Sequence, residues 1–412
     1  MESGTNKKLK VVWLCHFANQ EMFQYFNKSK GMEFAPWVSL MIDLFKGEES
    51  IELHIVAPNV FTNKDESFTK DGICYHFYKY IPLIPVFNRY FRKIYYTLKI
   101  EQLTDCHWIK KKVPSIINKI NPDIINLHGA ENPYYSSGIL PLIGKYPLLT
   151  SIQGFIRQSS YKSIEVTQRI RIEEEIIKKC EHFGTRTEDM NNVVLDINPA
   201  ANLHFHAYPV KIPTVFKNNI GGDEPIDCVF FARVTKDKGI EDLLEALAII
   251  KLNKPKINLH VIGSVTKTYL SFLKNKCINL NIRENVHFVG FIKTQEDIYN
   301  YLLKAKVYVI PTYHDIIPGT LLESMLIKLP SISYAVGGIP EINDKLERIK
   351  LVEKLNIKEL ADSIISLLDN AVIRKELSDE AFLWVKNKFN NNKNIVSELT
   401  TAYNYVLTKN DK

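Results

Sequence analysis

Short β-branched and aromatic runs alternate along most of the chain with stretches whose apolar positions recur at the helical period. Parallel strands joined by crossover helices give this rhythm, so the predicted class is α/β. In the first half the strand candidates are Lys10–Cys15, Ile51–Val56, Cys74–Tyr80, Asp123–Leu127 and Pro147–Ile152, with helices over Trp37–Phe45 and Ser163–Lys179. The second half is more regular, with strands over Asp227–Phe231, Ile257–Ile262, Val286–Val289, Val307–Ile310 and Ser331–Tyr334, each followed by a helix. Two Rossmann-like, doubly wound domains fit this order. Between the halves, Asn202–Pro225 carries Pro209, Pro213, Gly221, Gly222 and Pro225, which interrupt any period and mark a linker. The boundary is placed near residue 220, giving domains over 1–220 and 221–370. Helices over 371–412, broken at Asn390–Lys393, are expected to pack back, with the first domain as the candidate surface.

Composition narrows the class further. The chain has 412 residues, which at about 150 residues per domain suits two or three domains. Hydrophobic residues make up 45% and charged residues 24%, which excludes collagen-like or broadly disordered chains. Apolar runs such as Val11–Leu14 and Ile81–Phe87 fall far short of a spanning helix, and no leader-like segment opens the chain, so a cytoplasmic protein is expected. The six cysteines are widely spaced with no C-x-x-C, as suits buried thiols better than a disulfide frame or a zinc site.

The net charge of +7 is modest, but residues 81–120 hold eight Lys/Arg against Glu101 and Asp105. Phe87, Tyr90, Phe91, Tyr95, Tyr96 and Trp108 are interleaved with them. A cationic, aromatic surface suits an anionic membrane face. An ordinary helix with aromatics inward and lysines outward explains the same residues. Charge confined to one stretch, with no recognised motif, disfavours a nucleic-acid partner.

Three strand-to-loop segments carry candidate chemistry. In Phe230–Gly239 a buried strand opens into a loop where Arg233 and Lys238 stand at the carboxyl end of the sheet, a fork of donors and a mobile point charge suited to a diphosphate. A solvated lysine-rich turn is the competing explanation. In Val307–Lys328 a second strand leads through Asp315 to a helix start at Gly319, Thr320 and Leu321, whose N–H groups suit phosphate oxygens, with Glu323 one turn on as an acceptor for sugar hydroxyls. Thr320-Leu321-Leu322-Glu323 also reads as a capping box. The third segment, Ser331–Glu341, ends a strand in the paired turn Gly337-Gly338 before Pro340.

In this order and spacing the three segments resemble the donor-binding domain of retaining family-4 (group 1) glycosyltransferases of GT-B architecture, from about residue 225 to 370. Arg233 and Lys238 resemble the family's Arg…Lys diphosphate motif. Val286–Phe291 resembles the segment whose backbone, at Gly290 and Phe291, recognises the nucleotide base. Asp315 to Glu323 is similar to the Glu-x7-Glu motif, with Asp315 in place of the first Glu and Glu323 as the ribose-binding carboxylate. The resemblance implies transfer of a sugar from a nucleoside diphosphate to a hydroxyl acceptor with retention; of the two donor classes, a UDP-sugar is favoured over a GDP-sugar, and both stay open. Arg233 and Lys238 would stabilise the leaving diphosphate without a metal, and no cofactor is implied. Asp315 would hold the transferred sugar. In the N-terminal half Gln153 stands where many relatives place a His. His128 ends the preceding strand, either as an acceptor-side residue or as a packed histidine. The acceptor is expected to be a saccharide or a lipid-linked saccharide of cell-surface polysaccharide synthesis; the second alternative goes with the basic, aromatic stretch 81–120 and a place on the inner membrane face. A non-catalytic nucleotide-sugar sensor and a sugar-nucleotide epimerase of similar architecture remain alternatives.

Overall fold

The computed structural model describes residues 8–28, 33–80, 104–158, 163–210 and 226–410. The chain forms two compact units. The first contains residues 1–186, 190–209 and 392–412, and the second residues 187–189 and 210–391. The chain therefore passes into the second unit at Val210 rather than near residue 220. The helix Ala371–Phe389 belongs to the second unit, and Asn392–Asn410 returns to the first.

The first unit is an eight-stranded sheet of β1 (Leu9–Leu14), β2 (Ile51–Pro58), β3 (Glu66–Lys70), β4 (Ile73–Tyr78), β5 (Ile124–His128), β6 (Leu148–Ser151), β7 (His182–Thr185) and β8 (Asn202–Phe205). Its order is β3-β4-β2-β1-β5-β6-β7-β8, parallel except where β3 runs against β4. The central strands are apolar on both faces because helices cover both. Val11, Val12, Trp13 and Leu14 of β1 are all fully buried. The returning helix Asn392–Asn410 closes over this core through Tyr403, whose hydroxyl accepts from Trp13 Nε1 at 2.8 Å and Asn126 Nδ2 at 2.9 Å. The chain winds outward from β1 on one side and from β5 on the other, so the topological switch lies between them.

The second unit is a six-stranded parallel sheet of β9 (Ile226–Phe231), β10 (Leu259–Ile262), β11 (Val286–Gly290), β12 (Ala305–Ile310), β13 (Ser331–Tyr334) and β14 (Lys350–Val352), in the order β11-β10-β9-β12-β13-β14. Its switch point lies between β9 and β12. The helix Ile240–Lys251 follows β9 and buries Leu243, Leu244, Leu247 and Ile250 at helical spacing. After β13 the chain makes a 3₁₀ turn over Ile339–Asn343 rather than the expected α-helix.

Four strands were not expected from the pattern: β3, β7, β8 and β14. Asn202, expected to open a linker, starts β8. Pro213, Gly221, Gly222 and Pro225, the rest of that linker's signal, lie outside the described residues. Of the basic stretch, residues 81–103 also lie outside them. The helix His107–Ile120 within it turns Ile109, Val113 and Ile117 inward. Lys110 and Lys112 are held by Asp105 and Asp65, each at 2.7 Å. All six cysteines are free thiols, five of them buried. Among the described residues no helix is long and apolar enough to cross a membrane, and no group of three metal-ligating side chains converges.

Candidate functional site

The carboxyl ends of β9, β10, β12 and β13 are drawn together by close backbone approaches. Gly263, after β10, has φ +147, and a Cβ there would lie 1.8 Å from the Ala232 carbonyl oxygen. Gly239 ends the Lys236–Lys238 turn at φ +73, where a Cβ would meet the Pro311 carbonyl oxygen at 1.8 Å. Gly337 has φ +54 and crowds the Asp315 carbonyl in the same way, at 1.9 Å. Glycine is demanded at each by both conformation and space. Tyr313 N and Thr312 Oγ1 donate to the Asp237 carbonyl at 2.8 and 3.2 Å, clamping the loop after β12 to the loop after β9. Below them the buried carboxylate of Asp242 accepts from the hydroxyls of Tyr313 and Tyr334, both at 2.7 Å.

This clamp brings Lys238 and Asp315 into direct contact, although 77 residues separate them, with side chains 15% and 21% exposed. Arg233 stands exposed at the end of β9, and its guanidinium makes no ion pair among the described residues. The helix Gly319–Leu326 opens beside β12. Its N-cap is Pro318, with no side-chain cap, so the capping-box alternative does not form. Thr320 instead shares a 2.7 Å hydrogen bond with the Tyr308 hydroxyl, which donates to the Phe231 carbonyl at 2.9 Å and ties the helix start to the end of β9. Leu321 is fully buried, and its N–H already donates to the Pro318 carbonyl at 3.0 Å. Gly319 is exposed, with open space where a side chain would stand.

Glu323, one turn into that helix, has a buried carboxyl whose Oε2 lacks a hydrogen-bond partner. Burial pushes its pKa up to about 7, against a hydrogen bond from Gln295. Gln295 in turn donates to the Tyr299 hydroxyl at 2.7 Å. Gly290 ends β11 with φ +85, and its carbonyl accepts from Gly263 N at 2.9 Å, while Phe291 beyond it is 70% exposed. One sheet edge thus carries two cations, a carboxylate paired to one of them, an uncapped helix start and an orphaned buried carboxyl oxygen. Gln295, Tyr308 and Asp242 are contributors the sequence reading missed.

The two acceptor-side candidates lie in the first unit. His128 is fully buried, its Nδ1 2.9 Å from the Tyr208 hydroxyl and its ring 4.6 Å from that of Trp13. Burial, with His206 beside it, holds its pKa well below the usual histidine range. Gln153 is half-buried; its side chain hydrogen-bonds Tyr208, and its carbonyl accepts from Arg186 at 3.0 Å. Both converge on Tyr208 as a packed polar cluster.

Residues 212–384 match the family model Glycosyl transferases group 1. This segment belongs to that family. Among curated relatives of the glycosyltransferase segment, the capsular polysaccharide biosynthesis glycosyltransferase CapM of Staphylococcus aureus is 27% identical over 182 residues, 44% of this chain and 47% of CapM. The N-acetyl-alpha-D-glucosaminyl L-malate synthase of Bacillus anthracis is 28% identical over 45% of this chain and 46% of its own. The matches therefore span about half the length of these relatives. Solved structures resemble the chain over nearly all of it. Sucrose-phosphate synthase of Thermosynechococcus elongatus superposes with a TM-score of 0.70 at 16% identity, covering 98% of this chain and 100% of that one. HepE of Anabaena, in complex with UDP and glucose, gives 0.68 at 14% identity over 95% of this chain and 100% of its own. The fold is GT-B.

Proposed function

We propose that the protein transfers a glycosyl group from a nucleoside diphosphate sugar, with UDP as the nucleotide, to a saccharide hydroxyl, retaining anomeric configuration. The observation that carries this reading is the contact between Lys238 and Asp315 beside the open start of the helix Gly319–Leu326, inside the segment of group 1 family membership. A UDP complex of the fold neighbour HepE and the capsular polysaccharide role of CapM support the nucleotide and the acceptor class.

In the proposed reaction the bond between the anomeric carbon and the β-phosphate oxygen breaks, and negative charge grows on the diphosphate. Arg233, the Lys238 ammonium and the N–H groups of Gly319 and Thr320 stand where they meet that charge. An ammonium has three N–H donors, so Lys238 can keep one on Asp315 while the others reach phosphate oxygens. Asp315 then faces the transferred sugar from a fixed position. The acceptor oxygen bonds to the anomeric carbon on the face the diphosphate leaves, and its proton passes to the departing phosphate oxygen. Glu323 accepts hydrogen bonds from the ribose hydroxyls. The two cations supply the positive charge this step needs, so chelation of divalent ions is expected to leave the rate unchanged.

The test is diphosphate release from a panel of UDP- and GDP-sugars with and without saccharide acceptors. Acceptor-dependent UDP release is expected, falling by about 10² or more in Lys238→Ala with an unchanged circular dichroism spectrum. Donor binding without release would instead indicate a sensor, and release of free sugar alone an epimerase. An unaltered rate in Lys238→Ala would overturn the diphosphate assignment.

A further inference from the structure

The second sheet ends at β11, whose one strand neighbour among the described residues is β10. Its outer edge therefore presents backbone N–H and C=O groups that no strand takes up. Proteins usually blunt such an edge with a lysine, a proline or a bulge. β11 has no Lys or Pro between Val286 and Gly290. Val261 pairs with Phe288 and Ile262 with Gly290, which makes Val289 the extra residue of a bulge. The regular edge stops there, and Val286–Phe288 stay open as a short template.

The helix Lys267–Asn279 runs beside this edge, and the two border a groove of about 610 Å³. Ile278, 54% exposed, gives the groove an apolar wall together with Phe288 and Val289. Its charge is one-sided. Residues 267–293 hold five Lys/Arg against a single acidic residue, Glu284. Lys276 is engaged by Glu245 at 2.5 Å and Glu241 at 3.7 Å, both on the helix Ile240–Lys251. Arg283 has only Glu284 at 3.8 Å, with both side chains open to water, a pairing that contributes little. Lys274 makes no ion pair among the described residues. The lining of the groove thus holds two cations and no carboxylate.

We propose that this groove docks an extended, acidic segment of a partner protein, which pairs its backbone with Val286–Phe288 and sets its carboxylates against Lys274 and Arg283. An added strand takes up the idle backbone groups, and its alternate side chains reach the Ile278 wall. Charge decides between occupants. A second copy of the chain would meet the groove with the same patch on both sides, so Lys274 and Arg283 would lie near their own counterparts. A segment bearing carboxylates meets opposite charge, which steers it to the groove and rejects basic competitors. The proposal lies outside the donor chemistry and stands independently of the transferase reading.

The experiment selects phage-displayed random dodecapeptides on the unmodified protein, with counter-selection on the double variant Lys274→Glu/Arg283→Glu. Both positions are exposed, so the variant is expected to keep its circular dichroism spectrum and melting temperature. The enriched peptides are expected to be net acidic, with apolar residues between the carboxylates. A synthetic copy should bind at least about tenfold more weakly to the double variant, and about threefold or more to Ile278→Ser. Its affinity for the unmodified protein should fall about tenfold as sodium chloride rises from about 50 to about 500 mM. Bound peptide should slow amide hydrogen exchange over Val286–Phe288. Failure to enrich any peptide, enrichment of neutral or basic ones, or unchanged exchange over Val286–Phe288 overturns the proposal. A dimer in sedimentation velocity that the double variant abolishes also overturns it, because the groove then belongs to a second copy. If the double variant does not fold, Ile278→Ser and the exchange over Val286–Phe288 decide.

Discussion

Glu323 shows how a single side chain turns burial into a measurable property. Its pKa is raised to about 7, so at neutral pH it is divided between a carboxyl and a carboxylate, and the carboxylate is the stronger acceptor for the ribose hydroxyls proposed to meet it. Donor KM is therefore expected to rise several-fold as pH falls from about 8 to about 6, and steady-state kinetics of Glu323→Gln should show a flat profile. Asp242 acts through stability instead. It lies 6% exposed beneath two tyrosine hydroxyls, and Asp242→Ala leaves both without their acceptor. Denaturant unfolding of that variant should show a loss of about 2–4 kcal/mol. Asp315, Lys238 and Glu323 were singled out in the sequence by their resemblance to a family motif as well as by their place after strand ends, and the structure brings Lys238 against Asp315. Asp242, Gln295 and Tyr308 were not. Each looks like an ordinary helix or strand residue until folding brings a partner to it from a distant segment.

Elements were legible in proportion to how completely they are buried. The strands β1, β5, β9 and β12 are apolar on both faces and stand out as continuous runs, whereas β3 and β8 are edge strands of mixed polarity. One signal for β3 was available: Asp71-Gly72, at φ +51 and +79, is a dipeptide that favours hairpin turns. Folding also pairs histidines across adjacent strands, which no local pattern shows. His54 meets His76 at 2.9 Å, His182 meets His204 at 3.1 Å, and the rings of His260 and His287 lie 4.7 Å apart. Burial, with the neighbouring histidine secondary, lowers His76, His204 and His260 to about 4. A depressed histidine pKa means the unfolded chain binds the proton first. The stability these groups contribute is present above about pH 6.5 and is lost as pH falls toward about 4. The melting temperature should decline across that window, and replacing His76, His204 and His260 by Gln together should shallow the decline.

At the scale of the whole chain, two sheets were readable from the alternation of strands and helices, and a return of the C-terminal helices to the first domain was expected, but not that Ala371–Phe389 stays with the second unit while only Asn392–Asn410 returns. That return depends on Tyr403 meeting Trp13 and Asn126, which are 390 and 277 residues away. Tyr403→Phe removes the hydroxyl both donors use and is expected to destabilise the protein by about 1–3 kcal/mol in denaturant unfolding. The central claim concerns the second unit, where Lys238, Arg233 and the helix start are assigned to a diphosphate. Calorimetric titration of UDP into the protein and into Lys238→Ala tests it most directly. Saturable binding is expected, with affinity at least about tenfold weaker in the variant; equal affinity for the two proteins, or no binding of UDP by either, would contradict the assignment.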